Sequence, residues 1–190
     1  VLVDDARVDL VSATGSVRMG REIGPAVARR FGQSLLELGG NNAAIVAPSA
    51  DQDLAIRGSV FAAAGTAGQR CTTLRRLIVH SSIAEDFTAA LVAAYDTLAI
   101  GSPTTPGVLV GPLISKPAYE AMQAALAAAV EQGGQVLTGG ERVLVEQAPD
   151  AYYVKPAVVK MPAQTQIVTE ETFAPILYVM EYEDFDAAIA

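Results

Sequence analysis

Residues 8–31 read VDLVSATGSVRMGREIGPAVARRF, and their reading decides the fold class. The run VDLVSA (8–13) is rich in β-formers and stops at Thr14-Gly15-Ser16. From about Arg18 to Phe31 the period changes. Ile23, Ala26, Val27, Arg30 and Phe31 recur at spacings of three and four, the stripe of an amphipathic helix. A strand, a small-residue turn and a helix place Gly15 and Ser16 at a helix N-terminus, where backbone N–H groups can face a pyrophosphate. The spacing is not GxGxxG, so the standard dinucleotide fingerprint fails, and an ordinary βα turn fits the segment as well.

The alternation continues outward. SLLEL (34–38) and AAIVA (43–47) read as short strands, the first closed by Gly39-Gly40. A helix is predicted to start near Ser49 or Asp51, where an acidic side chain suits the positive end, and to run through DLAIRGSVFAAAG (53–65). RRLIVH (75–80) reads as a strand. Ser81 or Ser82 can cap the next helix, whose apolar stripe runs through Phe87, Leu91, Val92 and Tyr95. A long Pro/Gly-rich connection (101–117) leads to the helix AYEAMQAALAAAVEQ (118–132), which Gly133-Gly134 stops. QVLTGG (135–140), YYVKPAVVKM (152–161) and APILYVMEY (174–182) read as strands, and a last helix begins at residues 184–190. Strands alternating with helices predict an α/β fold with a largely parallel sheet.

The composition narrows the function classes. Of 190 residues 51% are hydrophobic and 18% charged, which supports a packed core and argues against global disorder. Mean hydropathy is +0.32. A net charge of −8 argues against a nucleic-acid partner, which needs clustered Lys and Arg. One cysteine and one histidine, His80, exclude a disulfide framework, a multi-cysteine zinc site and HExxH; His80 reads as a structural strand residue. No signal peptide is visible, and the longest uncharged span (97–115) is broken by Gly and Pro, so no membrane helix is expected. These features point to a reducing compartment, taken as the cytoplasm. The first residue is not Met, so the sequence is expected to begin inside a longer protein.

Three further segments hold candidate chemistry. In GTAGQRCTTLRR (65–76) the lone Cys71 is either a small apolar filler or a nucleophile. Gly65 and Gly68 free the backbone to bring N–H groups near a bound oxygen, and the charge of Arg70 favours a thiolate. In LLELGGNN (35–42) Glu37 sits between leucines. Burial there would raise its pKa toward that of a general base, whereas a strand-end glutamate would simply face solvent. In TEETFAPIL (169–177) the paired acids are either a solvated helix start or a hydrogen-bond acceptor for ribose hydroxyls.

Taken together, these segments resemble the aldehyde dehydrogenase superfamily. Gly15-Ser16 through Gly20 matches its GSxxxG, Glu37 to Gly40 its ELGG, Gly68 to Cys71 its GQxC, and Glu171 through Phe173 to Pro175 its E-x-F-x-P. GPLIS and YYVKPAVV are similar too, and the finer match is to the antiquitin, or α-aminoadipic semialdehyde dehydrogenase, branch. Most superfamily members carry Lys where Asn41 stands and Gly where Ala174 stands.

The resemblance implies that residues 1–38 are the C-terminal part of a dinucleotide-binding domain and 39–190 the N-terminal part of a catalytic domain. It implies a fragment, inactive by itself, without the upstream Asn of the oxyanion hole or the Lys near the adenosine ribose. It implies Cys71 as nucleophile and Glu37 as general base. Gly15, Ser16, Leu38, Glu171 and Phe173 become cofactor contacts, and Arg70 a contact for a carboxylate-bearing substrate or a support for its loop. The cofactor is NAD, with NADP left open. The reaction is oxidation of a small-molecule aldehyde, in lysine breakdown, by a homo-oligomer built as a dimer or tetramer. An aldehyde dehydrogenase of different substrate scope and a non-catalytic binding module are the alternatives.

Overall fold

Strand β1 (Leu10–Thr14) enters helix α1 (Val17–Arg29) through a two-residue turn, and the chain returns as β2 (Gln33–Glu37), parallel to β1 in the register Leu10↔Gln33 to Thr14↔Glu37. A parallel pair needs such a crossover, and the helix supplies it. Ser16 caps α1, its Oγ accepting from Met19 N–H at 3.1 Å. The helix stops two residues before the expected Phe31. Phe31 N–H donates to the Ala28 carbonyl and Gly32 N–H to that of Val27, a Schellman closure. The left-handed residue in it is Phe31 (φ 60°), where glycine is usual.

This computed structural model describes residues 2–189, and the chain divides into two compact units, Val1–Gly40 and Asn41–Ala190. The second unit holds β3 (Asn42–Val46), α2 (Gln52–Ala64), β4 (Leu74–His80), α3 (Ser81–Asp96), α4 (Lys116–Glu131), β5 (Gln135–Thr138), β6 (Arg142–Val143), β7 (Tyr153–Val154), β8 (Ala157–Lys160), α5 (Gln166–Thr169), β9 (Ile176–Tyr182) and α6 (Phe185–Ile189). Its main sheet has the order β3-β4-β9-β8-β5. The pairs β3/β4, β4/β9 and β8/β9 are parallel, and β5 joins β8 antiparallel.

Alternation along the central strands fills both faces of the sheet. Leu77 and Val79 of β4, Val158 of β8 and Leu177 and Val179 of β9 pack with Phe87, Leu91 and Tyr95 of α3 and Val60 and Ala63 of α2. Ile78, Val159, Ile176, Tyr178 and Met180 point the other way, toward Met122, Ala125, Leu126 and Ala129 of α4. The unit is therefore a helix–sheet–helix sandwich around a mostly parallel sheet.

Of the two starts expected for α2 the structure takes Asp51, and several other expectations are corrected. Asp51 caps α2, its Oδ1 accepting from Leu54 N–H at 3.0 Å. Neither Ser81 nor Ser82 caps α3. Because β4 runs straight into the helix, its last residue, His80, takes the cap, with Nδ1 accepting from Ser82 N–H at 3.2 Å. The run 152–161 is two strands, since Pro156 has no N–H for a ladder and separates β7 from β8. The hairpin strand β6 and the single-turn α5 were not expected. The expected last helix extends to Ala190, which lies outside the described residues.

Candidate active site

The segment before Cys71 is held in an unfavourable backbone conformation. After α2 a 3₁₀ turn (Gly65–Gly68) places Thr66 (φ 54°), Ala67 (φ 52°) and Gly68 (φ 68°) in the left-handed region one after another. Two of the three carry a Cβ, a strain that persists only where the surroundings enforce it. At Gly68 those surroundings are visible. A Cβ there would overlap the backbone of Ala174 and Pro175, so the cysteine loop presses against the segment that carries Glu171 and Phe173.

Residues 70–73 form a turn closed twice. Thr73 N–H donates to the Arg70 carbonyl at 3.0 Å, and Arg70 N–H donates to Thr73 Oγ1 at 3.1 Å. Asn42 Nδ2, from the start of β3, donates to the carbonyls of Cys71 at 2.7 Å and Thr73 at 2.9 Å. Gln69 ties the loop to the 112–114 stretch: its Nε2 donates to the Pro112 carbonyl at 3.2 Å and its Oε1 accepts from Ile114 N–H at 2.9 Å. Cys71 itself is exposed, and its N–H makes no hydrogen bond among the described residues.

Arg75, the second residue of β4, is the hub of the site, with a side chain only 2% exposed. Nη1 donates to the carbonyls of Thr172 (2.6 Å) and Ala174 (3.4 Å), and Nη2 to those of Gly68 (3.2 Å) and Arg70 (3.2 Å). Nη2 also lies 3.5 Å from Glu171 Oε1, and the guanidinium sits 5.3 Å from the Phe173 ring centroid. Burial pulls the guanidinium pKa below its ordinary value, and the Glu171 charge partly restores it. Glu171 keeps 23% of its side chain exposed and Phe173 is 45% exposed, so both are accessible to a ligand.

Arg70 is turned away from this hub. Its guanidinium lies 5.4 Å from the Phe61 ring centroid, with Nη2 3.4 Å from the Phe61 carbonyl at the end of α2. That interaction supports the loop. No acid pairs with Arg70 among the described residues.

The other candidates lie in the first unit, at the carboxyl end of its parallel strands, where α/β folds bind ligands. Gly15 N–H donates to the Glu37 carbonyl at 3.0 Å, setting the Gly15-Ser16 turn beside the end of β2. Glu37 is the last residue of β2, and its side chain is exposed. Leu38 folds over Gly20 of α1, where any side chain would collide with it.

Sequence reasoning missed Arg75, Asn42 and Gln69. A signal for Arg75 was present: by two-residue alternation it shares a face with Leu77 and Val79, both fully buried.

A strained cysteine loop packed on an acidic and aromatic segment, in an α/β frame, defines a class of thiol-bearing domain. The chain belongs to the aldehyde dehydrogenase family, whose model matches residues 1–190. Among curated relatives, aldehyde dehydrogenase family 7 member A1 of Pisum sativum is 45% identical over 189 residues, covering 100% of this chain and 36% of the pea protein. The alpha-aminoadipic semialdehyde dehydrogenase of Mus musculus is 46% identical over 180 residues, 95% of this chain and 33% of the mouse protein. The chain thus spans about a third of the length of these relatives. A crystal structure of Staphylococcus aureus betaine aldehyde dehydrogenase in complex with NAD+ superposes with a TM-score of 0.94 at 29% identity, covering 98% of this chain and 37% of that one.

Proposed function

We propose that the chain is part of a longer enzyme that oxidises an aldehyde to a carboxylic acid with NAD, and that α-aminoadipic semialdehyde is the substrate. In this reading residues 1–38 end a dinucleotide-binding domain and residues 39–190 open the catalytic domain. The observation that carries it is the junction at Arg75 and Gly68, which holds the cysteine loop against the Glu171–Pro175 segment. The mouse relative's name supports the substrate, and the reading places the reaction in lysine breakdown. The reading also takes the enzyme as a cytoplasmic homo-oligomer.

The residues present fit a dinucleotide. The first turn of α1 presents N–H groups that no intrahelical carbonyl satisfies, beside Gly15 and the Ser16 cap, which suits a pyrophosphate. Leu38 offers an apolar contact beside that turn. The accessible carboxylate of Glu171 suits ribose hydroxyls, with the Phe173 ring beside it. What the cofactor supplies when bound is acceptance of a hydride.

The chain's own groups do the rest. Cys71 Sγ, as thiolate, attacks the aldehyde carbon; a C–S bond forms and the carbonyl electron pair moves to oxygen, where the Cys71 N–H can donate to it. Loss of hydride leaves a thioester on Cys71. Glu37 takes a proton from water, whose oxygen attacks that thioester, and collapse releases the acid and the Cys71 thiolate. Water is a poor nucleophile at neutral pH, so this second half needs the base most.

A second reading, an enzyme for simpler aldehydes, is favoured by one observation: the Arg70 guanidinium is engaged with Phe61. One experiment tests both. Glu37→Gln in the intact enzyme, given NAD and an equimolar mixture of α-aminoadipic semialdehyde and hexanal, should accumulate an acyl adduct on Cys71, and turnover should fall about 10²- to 10⁴-fold. Mass spectrometry reads the site and the acyl group. Hexanoyl on Cys71 selects the second reading, and an unmodified Cys71 with undiminished turnover refutes the mechanism.

A further inference from the structure

Arg75 has a geometry that stability alone does not call for. Its two terminal nitrogens carry four N–H groups; in their bonds to backbone carbonyls each serves a different loop, and Nη2 also faces the Glu171 carboxylate at 3.5 Å. Nη1 binds the Thr172 and Ala174 carbonyls, and Nη2 those of Gly68 and Arg70. The carbonyls on the Nη2 side bracket the approach to Cys71, and those on the Nη1 side bracket Phe173. Nε is buried with no partner among the described residues. A charge so placed is a poor way to stabilise a core, since well-packed apolar groups usually do as well or better. A planar, rigid fork is, however, the side chain suited to fixing two backbone segments at a set spacing.

Resting on the reading of Cys71 and Glu171 given above, we propose that Arg75 is a positioning residue that couples occupancy of the Glu171–Phe173 segment to the orientation of Cys71. A ligand that draws Glu171 and Phe173 into one arrangement fixes the Thr172 and Ala174 carbonyls on the Nη1 side of the fork and the carboxylate that faces Nη2. Because the guanidinium is rigid, the Nη2 side then fixes the Gly68 and Arg70 carbonyls and with them the peptide bearing Cys71. Lysine keeps the charge and lacks the second prong.

The test compares wild type with Arg75→Lys in the intact enzyme. NAD should change the iodoacetamide alkylation rate of Cys71 in wild type by about fivefold or more and in the variant by less than about twofold. Turnover per titrated thiol should drop roughly 10- to 100-fold, the cost of a slightly misplaced reacting group. KM for NAD should rise while KM for the aldehyde stays nearly fixed. A folded variant with wild-type turnover and an undiminished NAD response overturns the proposal, as does a wild-type alkylation rate that NAD leaves unchanged. If the variant does not fold, hydrogen exchange on wild type decides: NAD should protect residues 65–73 together with 170–175, and protection confined to 170–175 overturns the coupling. Cys71→Ala separates the two levels. If it remains active, the underlying mechanism fails. If it is inactive while Arg75→Lys behaves as wild type, only the coupling does.

Discussion

The two units differ in how they hold their candidate groups. In residues 41–190 the loop bearing Cys71 is tied down by Asn42, Gln69, Thr73 and Arg75, over a sheet filled on both faces. Among the described residues up to Gly40 only Gly20 and Val27 are buried, and β1 and β2 expose Leu10 and Leu35. One unit builds a rigid frame around its candidate thiol; the other displays its groups on the rim of a two-stranded sheet. Rigid placement suits the position where a bond to the protein is proposed to form, Cys71. A proton acceptor working through water, the role proposed for Glu37, tolerates a looser mount.

The largest test of that contrast is separation. Residues 41–190 produced alone should unfold cooperatively in urea, whereas residues 1–40 alone should give the circular dichroism of a coil, since about 40 residues and two strands cannot bury enough surface. A helical spectrum from residues 1–40 would break the comparison. Next in size, Gly68→Ala should cost the chain about 2–4 kcal/mol, because the added methyl meets backbone in a left-handed position. Gly15→Ala, where the flexible Met19 thioether is the obstacle, should cost less than about 1 kcal/mol. Equal losses at the two glycines would erase the difference in rigidity.

Smaller than the Gly68 loss is an effect of pH. Burial pushes the Tyr178 phenol up to about 12 from its ordinary 10.0, and it raises Tyr95 as well. A group whose folded pKa is raised leaves stability intact below its unfolded value and lets it fall as pH climbs toward the folded one. The chain should therefore hold its stability up to about pH 10 and lose it between about 10 and 12. Residues 1–40 contain no tyrosine, so the loss should arise in the second unit. Tyr178→Phe, which also removes a buried hydroxyl without a partner among the described residues, should blunt that loss by about 1–3 kcal/mol and leave neutral stability unchanged or about 1 kcal/mol higher.

The fold class was legible because hydrophobic period switches cleanly between 2 and 3.6 at Thr14–Val17 and again at Glu131–Val136. Strand ends were less so. Pro156 divides a run that composition makes continuous, and β6 and β7 are too short to carry a pattern. The chemistry-bearing segments were legible as motifs. The framework behind them was not: Arg75 sits in a strand that reads as ordinary, and its hydrogen-bond acceptors include four backbone carbonyls, which no side-chain pattern announces. The cap at His80 was hidden for a different reason, since a serine follows it and a direct strand-to-helix passage leaves no loop to see.

The inward pull on the Arg70 carbonyl has a further consequence. A trans peptide is a flat plate with its oxygen and its hydrogen on opposite edges. Thr73 and Arg75 both draw the oxygen edge of the plate joining residues 70 and 71 toward the interior. The hydrogen edge, which is the amide of Cys71, must then look outward. Were this plate to turn over, the reaction proposed above would meet a repelling lone pair where it needs a donor.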